Sequence, residues 1–198
     1  MSINNFIFDF GGVLVDWEPL QAVQTLYPQA DAHALTKSLF TDGDWDALDQ
    51  GIISRDATIA KLSQKNRLSQ NEILKILNLL EKNVTVKPMM MGLLKELKQK
   101  GCGIYLLSNM SEHDYLLRQK RFAMFSLFDG HIISALLKIS KPNPQIYTAL
   151  LQKYNLKPDT CLFIDDRINN VEAARTVGIE SFLFETEDDC VAYLITKY

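Results

Sequence analysis

Six polar side chains stand where short apolar segments of this sequence end or where a helix begins. Three are carboxylates, two are uncharged donors and one is a lysine: Asp9, Asp165, Asp166, Ser108, Asn109 and Lys141. Carboxylates that lie close together raise one another's pKa unless a cation neutralises them. An all-oxygen ligand set favours a hard ion, and Mg²⁺ fits best because it keeps positions open for water and phosphate. If the six side chains converge, we expect a magnesium site that binds phosphate.

The same residues could carry out phosphoryl transfer. Asp9 is a carboxylate that can attack phosphorus and form an aspartyl phosphate. Ser108 and Asn109 offer hydroxyl and amide donors to phosphate oxygens, and Lys141 adds a positive charge. Phosphoryl transfer depends mainly on positioning and charge neutralisation, which these groups supply. Each segment alone also fits a turn, a helix start or a solvated loop, but their joint occurrence in this order favours the functional interpretation.

Strands that alternate with helices must bring these residues together. The pattern predicts strands over residues 6–8, 103–107, 131–134, 161–164 and 181–184. Right-handed crossovers place the carboxyl ends of such strands at one edge of a parallel sheet, where ligands bind in open α/β folds. We therefore predict an α/β fold with a doubly wound, mostly parallel sheet. Gly11 and Gly12 follow the first strand and allow the backbone to approach a bound group closely.

Residues 17–86 have a different character, with helical patterns and no convincing strand. Ser54 and Ser69 are predicted N-caps of two of these helices. The segment is interpreted as a helical cap inserted after the first strand, over Asp9, with a catalytic core of 1–16 plus 87–198. Trp17 and Trp45 are expected to pack within the cap or to contact a substrate where the cap meets the core.

Composition excludes several classes of protein. The chain has 198 residues, 47% hydrophobic and 23% charged, as expected for a globular protein with a core. A formal charge of −3 leaves no basic surface for nucleic acid, and no apolar run has the ~20 residues that a membrane span needs. Three cysteines without CxxC spacing fit a reducing cytoplasm better than disulfides or zinc. We expect a cytoplasmic protein, monomeric or weakly dimeric, that acts on a small phosphate ester.

Four segments, in this order, resemble the motifs of the haloacid dehalogenase (HAD) superfamily: FDFGGVL at 8–14, LSN at 107–109, KP at 141–142 and FIDDRINNV at 163–171. The resemblance covers nearly the whole chain and is greatest to sugar-1-phosphate phosphatases and to the phosphatase domain of soluble epoxide hydrolases. It implies that Asp9 is the nucleophile and that Lys141 neutralises it together with the phosphate. It implies Mg²⁺ ligation by Asp9, the Gly11 carbonyl and Asp166, with Asp165 ligating or orienting. The implied phosphoryl-binding residues are Ser108, Asn109, Gly12 and Lys141.

One position departs from the family pattern. Most HAD phosphatases carry a second aspartate two residues after the nucleophile, as the general acid and base, and here that residue is Gly11. General acid–base catalysis is typically worth ~10²–10⁴-fold. An acidic leaving group needs less protonation, so the sequence predicts a preference for anomeric, aryl or acyl phosphates. Residues that could replace the missing group, but that also fit solvated surface, are Asp16, Asp44, Asp46 and His113.

Three other functions are compatible with parts of this pattern. A 2-haloacid dehalogenase also lacks the second aspartate, but it needs no Mg²⁺ and gives the Asp165-Asp166 pair no obvious purpose. A receiver-type signalling domain combines acidic residues, Mg²⁺, a hydroxyl and a lysine, but its acidic pair comes first and no helical module intervenes. A non-catalytic phosphate-binding or scaffold domain on the same fold is the third alternative.

Overall fold

A parallel sheet of five strands forms the centre of the computed structural model, which describes residues 2–198. The strands are β1 (Asn5–Phe8), β2 (Gly103–Ser108), β3 (Gly130–Ile133), β4 (Cys161–Asp165) and β5 (Glu180–Leu183). They lie in the order β3-β2-β1-β4-β5, and every neighbouring pair is parallel. The predicted α/β fold with a doubly wound sheet is confirmed, and each predicted strand boundary lies within one residue of the observed one.

Five helices connect β1 to the rest of the core. They are α1 (Pro19–Leu26), α2 (Ala32–Phe40), α3 (Asp44–Asp49), α4 (Arg55–Asn66) and α5 (Gln70–Asn83). Ser54 and Ser69 cap α4 and α5 through their hydroxyls, and Ser69 forms a full capping box with Glu72. These helices bury an apolar cluster of their own, which includes Val23 and Leu62. We propose that they form the cap domain with the predicted boundaries at 17 and 86.

Six further helices pack around the sheet. They are α6 (Pro88–Gln99), α7 (Glu112–Arg121), α8 (Ser134–Leu137), α9 (Pro144–Lys153), α10 (Ile168–Thr176) and α11 (Glu187–Ile195), with 3₁₀ turns at Ala123–Leu127 and Pro158–Thr160. The sequence pattern did not predict α8 or α11. Among the described residues, no helix has both the length and the apolar character that crossing a bilayer requires.

Both faces of the sheet are buried at its three middle strands, which explains why β1, β2 and β4 are mostly apolar on both faces. Side chains alternate between faces along each strand, so Phe6 and Phe8 of β1 belong to one core cluster with residues of α6 and α11. Ile7, between them, belongs to the other cluster, with residues of α9 and α10. With two buried faces, the polar residues that follow the strands can reach solvent only at the edge formed by the strand ends.

The chain leaves and re-enters the core along two adjacent segments. Val15 forms an antiparallel bridge with Val86. The backbone N–H of Asp16 donates to Thr85 O at 2.9 Å, and that of Lys87 donates to Leu14 O at 3.0 Å. This short two-stranded connection anchors α1–α5 beside the carboxyl ends of the strands.

Candidate active site

Asp9 lies directly after β1, the middle strand of the sheet. The register places Phe8 opposite Leu106 on one side and Ile164 on the other, so Asp9 emerges between β2 and β4. Its backbone N–H donates to Ile164 O at 2.9 Å, and the Phe10 N–H donates to Asp9 Oδ1 at 2.6 Å. The carboxylate is therefore held by the main chain at the edge where this fold binds ligands.

Lys141 lies between two of the carboxylates. Its Nζ is 2.9 Å from Asp9 Oδ1 and 2.7 Å from Asp165 Oδ2, and the residue is only 4% exposed. Burial alone would lower the pKa of Lys141, but Asp165 and Asp9 outweigh that effect and raise it. Asn109 holds the lysine backbone from both sides: the Lys141 N–H donates to Asn109 Oδ1 at 2.8 Å, and Asn109 Nδ2 donates to Lys141 O at 2.9 Å.

Asp165 is fully buried, and protein donors bind both of its oxygens. Oδ2 accepts from Lys141, while Oδ1 accepts from Asn170 Nδ2 at 2.8 Å and from the Arg167 N–H at 2.9 Å. The Asn170 carbonyl in turn accepts a hydrogen bond from the buried Tyr147 hydroxyl at 2.9 Å. Asp165 thus connects the lysine to α10 and is rigidly oriented.

Asp9, Asp165 and Asp166 form an acidic cluster in which one oxygen of each lies within 4.8 Å of the others. Burial raises the pKa of Asp9 to about 7; Lys141 opposes this shift, and Asp165 and Asp166 add to it. Burial and the charge of Asp165 also raise the pKa of Asp166, whose side chain reaches solvent. The single positive charge of Lys141 does not balance the negative charges of the three carboxylates. The carboxylate oxygens of this cluster are the donors that a small divalent cation prefers.

Ser108 and the two glycines complete the wall near Asp9. Ser108 is the last residue of β2 and is 2% exposed. Gly12 has φ = 77°, a left-handed conformation, and a Cβ at this position would overlap the Asp166 carboxylate. All eight residues predicted for the site are thus gathered at one edge of the sheet. Seven of them line a single cavity of about 460 Å³: Asp9, Gly11, Gly12, Ser108, Asn109, Lys141 and Asp166.

The opposite wall of this cavity comes largely from the helical segment. Trp17, Phe40 and Trp45 form an aromatic cluster there, with ring centroids 5.0–6.5 Å apart. The Arg118 guanidinium lies 4.8 Å from the Trp17 ring and forms an ion pair with Glu81 at 3.3 Å. Trp17 and Trp45 therefore pack against neighbouring aromatic rings and also line the cavity. Contact with a substrate, the other alternative from the sequence, stays a prediction.

Sequence reasoning missed three charged residues of the cavity wall: Asp49, Asp114 and Arg118. Of the four acid–base candidates named from the sequence, only Asp46 lines the cavity. Asp16 accepts from Thr85 at 2.8 Å and pairs with Lys87, so it serves the connection between the two segments. Asp44 pairs with Lys61 at 3.4 Å, and His113 lines a separate, smaller cavity.

Comparison with known proteins identifies the family. Residues 3–178 match the family model described as haloacid dehalogenase-like hydrolase. A sesquiterpene phosphatase, astK, of Aspergillus oryzae is 30% identical over 87% of this chain and 85% of its own length. A D-ribitol-5-phosphate phosphatase of Bacteroides thetaiotaomicron is 27% identical over 94% of both chains. The chain therefore belongs to the haloacid dehalogenase-like hydrolases.

The solved structures agree with this assignment at the level of the fold. The HAD family enzyme bt-2542 of Bacteroides thetaiotaomicron has a TM-score of 0.79 and 21% identity, over 98% of this chain and 99% of that one. This enzyme has also been solved as a magnesium complex. The predicted family is confirmed, and the chain is an enzyme whose relatives are phosphatases, as expected for a phosphoric monoester hydrolase.

Lys141→Met should destabilise the fold because it leaves two buried carboxylates without their cation. Removing one partner of a buried ion pair typically costs roughly 3–5 kcal/mol. Urea unfolding in EDTA should show this loss, while the exposed Lys157→Met control should stay within about 0.5 kcal/mol of the parent chain. An unchanged free energy of unfolding for Lys141→Met would contradict the role assigned to this lysine.

Proposed function

We propose that this protein is a Mg²⁺-dependent phosphatase that hydrolyses a small phosphorylated metabolite through an aspartyl phosphate on Asp9. The observation that carries the proposal is the shared ion pair of Lys141 with Asp9 and Asp165 at the floor of the cavity. Both protein donors to Asp9 bind Oδ1. Within residues 2–198, Oδ2 has no protein donor and is free for a ligand.

The residues proposed to hold Mg²⁺ are Asp9, Asp166 and the Gly11 carbonyl. Asp165 is better suited to orientation than to ligation, since Lys141, Asn170 and the Arg167 N–H already bind both of its oxygens. When bound, the ion would neutralise the carboxylates and the phosphate and polarise the phosphorus–oxygen bonds. The acidic cluster and its raised pKa values support this role.

The reaction follows from what these side chains can do. Ser108, Asn109 and the Gly12 backbone hold the phosphoryl oxygens, while Lys141 offsets negative charge at the reacting group. The Asp9 carboxylate attacks phosphorus, the bond to the leaving alcohol oxygen breaks, and the phosphoryl group is transferred to Asp9. Water then attacks the phosphorus of phospho-Asp9, which releases phosphate and restores the carboxylate. The cap would exclude bulk water during these steps.

The cavity wall supports a monophosphate with an uncharged remainder as the substrate. Asp46, Asp49 and Asp114 lie on this wall. Of its two arginines, Arg118 is already paired with Glu81, and Arg167 follows Asp166 at the edge of the sheet. A second phosphate directed towards α3 and α7 would meet the carboxylates of Asp46 and Asp114, beside an arginine that Glu81 already neutralises. Hydroxyl groups could instead bind the carboxylates, and apolar surfaces could stack on the aromatic cluster, as the names of the sesquiterpene and ribitol-phosphate relatives suggest. A sugar-phosphate-like metabolite meets both conditions.

The alternatives are less well supported by the site. A dehalogenase would attack carbon and would have no use for Asp166 beside the nucleophile, nor for Ser108 and Asn109 as phosphate donors. A scaffold would not need a buried carboxylate held by a lysine with one oxygen free. Cytoplasmic location and a monomeric or weakly dimeric state remain predictions.

Asp9→Asn should abolish turnover while leaving the fold intact, because the amide cannot form the phosphoryl intermediate. The measurement is phosphate release from para-nitrophenyl phosphate with Mg²⁺, alongside circular dichroism. The exposed Asp159→Asn serves as the control and should keep the parental rate. EDTA should stop the parent enzyme, and added Mg²⁺ should restore it. Full activity of Asp9→Asn would exclude Asp9 as the nucleophile. Full activity of the parent enzyme in EDTA would exclude a requirement for Mg²⁺.

Asp46→Lys should make the enzyme more tolerant of a second phosphate, because it replaces a negative charge on the cavity wall by a positive one. We expect the ratio of kcat/KM for a hexose bisphosphate to that for the monophosphate to rise about tenfold. Asp159→Lys, away from the cavity, makes the same change in net charge and should leave the ratio unchanged. A ratio that moves equally in both variants would show that net charge, rather than the cavity wall, sets the preference.

A further inference from the structure

Hydrolysis through phospho-Asp9 needs a proton for the leaving oxygen and a base for the attacking water, and Gly11 can supply neither. The following inference rests on the proposed function. The missing group must be a titratable side chain that shares the cavity with Asp9 and is held in place relative to the core. Outside the acidic cluster, three carboxylates line this cavity: Asp46 and Asp49 of cap helix α3, and Asp114 of core helix α7.

Asp49 is attached to the core although it belongs to cap helix α3. Its carbonyl accepts a hydrogen bond from the buried hydroxyl of Ser134 at the start of α8. Gln50 Nε2 donates to Lys138 O at 3.0 Å, and Lys138 Nζ donates back to Gly51 O. Gly51 has φ = 69°, and a Cβ there would overlap the Ala135 backbone. The end of α3 therefore lies directly against the core, and Asp49 is held in place by main-chain contacts.

The Asp49 carboxyl lies among groups that favour a bound proton. It lies near the Ser111 backbone, three residues beyond Ser108, and it shares the cavity wall with Asp114 and Arg118 of α7 and Asp46 of its own helix. Burial, followed by the charge of Asp114, raises the pKa of Asp49 well above its usual range, against the opposing effect of Arg118. A raised pKa makes a carboxyl a better candidate for a general acid than an ordinary aspartate.

The other two carboxylates are less suitable. The Asp114 carboxylate accepts a hydrogen bond from the hydroxyl of Ser111, the N-cap of α7, at 2.8 Å, and the Asp114 backbone N–H donates to the same hydroxyl at 3.1 Å. Asp46 lies one turn before Asp49 on α3, but its side chain is exposed to solvent. Asp49 alone combines a firm attachment to the core, a place on the wall shared with Asp9 and surroundings that raise its pKa.

We propose that Asp49 is the proton-transfer residue of this enzyme, in place of the aspartate that is missing at Gly11. As Asp9 attacks phosphorus, Asp49 gives its proton to the leaving oxygen, which departs as a neutral alcohol. The Asp49 carboxylate then takes a proton from the water that attacks phospho-Asp9. Phosphate is released, the Asp9 carboxylate is restored, and Asp49 is protonated again. The enzyme then hydrolyses alkyl phosphates as well, and the preference predicted from Gly11 disappears.

Asp49→Asn tests this proposal through the leaving group. In a two-step reaction, kcat/KM reports the steps up to release of the alcohol. For an alkyl substrate such as glycerol phosphate, kcat/KM should fall by ~10²–10⁴-fold because general acid catalysis is lost. For para-nitrophenyl phosphate, whose leaving group needs no proton, it should fall by less than about tenfold. Circular dichroism and thermal unfolding verify the fold, and Asp49→Ser replaces Asp49→Asn if that variant fails to fold.

Two further variants make the result specific. Asp44→Asn, on the same helix but outside the cavity, should match the parent on both substrates. Asp46→Asn should change kcat/KM for glycerol phosphate and kcat/KM for para-nitrophenyl phosphate by similar factors. The proposal would be overturned if Asp49→Asn lost the same factor in kcat/KM on both substrates or lost none on either. It would also be overturned if Asp46→Asn, rather than Asp49→Asn, showed the difference between substrates. An inactive parent enzyme, or an active Asp9→Asn, would instead count against the phosphatase function itself.

Discussion

The site depends on one buried cation, Lys141, which is shared by two carboxylates from neighbouring strands. Without it, Asp9 and Asp165 would place two negative charges together at the buried edge of the sheet, at a cost of several kcal/mol. The lysine does not belong to either strand. It is held through its backbone by Asn109, which follows a third strand. A single lysine residue therefore connects β1 and β4 through its ammonium group and β2 through its main chain.

The acidic cluster carries more negative charge than Lys141 neutralises. One lysine faces three carboxylates. Burial, with the neighbouring carboxylates adding to it, raises the pKa of Asp9 and of Asp166, and such raised values are common at functional sites. The imbalance is local, because Asp165 is fully satisfied by its hydrogen bonds while Asp9 and Asp166 are not. The two less satisfied carboxylates are those nearest the cavity, where a cation and a phosphate would complete the site.

The core and the cap supply different parts of the same chemistry. The fold is shared by enzymes that attack phosphorus and by enzymes that attack carbon, so the function has to be argued from the site. The core brings together the groups proposed to hold and transfer a phosphoryl group. The cap contributes the aromatic wall and, through the docking of α3 on α8, a carboxyl in Asp49. In the proposed reaction the leaving group would face mainly cap residues, which is where specificity is expected to lie.

The sequence alone determined the sheet and the core half of the site, because both follow from local patterns. An apolar run that ends on a polar residue marks a strand end, and parallel topology brings Asp9 and Asp165 to one edge. Tertiary structure alone decided the rest. Asp49 stands in an ordinary helical pattern, and its position depends on Ser134, 85 residues further along the chain. The orientation of Asp165 likewise depends on Lys141, 24 residues earlier in the chain. Pairings between distant segments are set by packing, and packing leaves no periodic signal in the sequence.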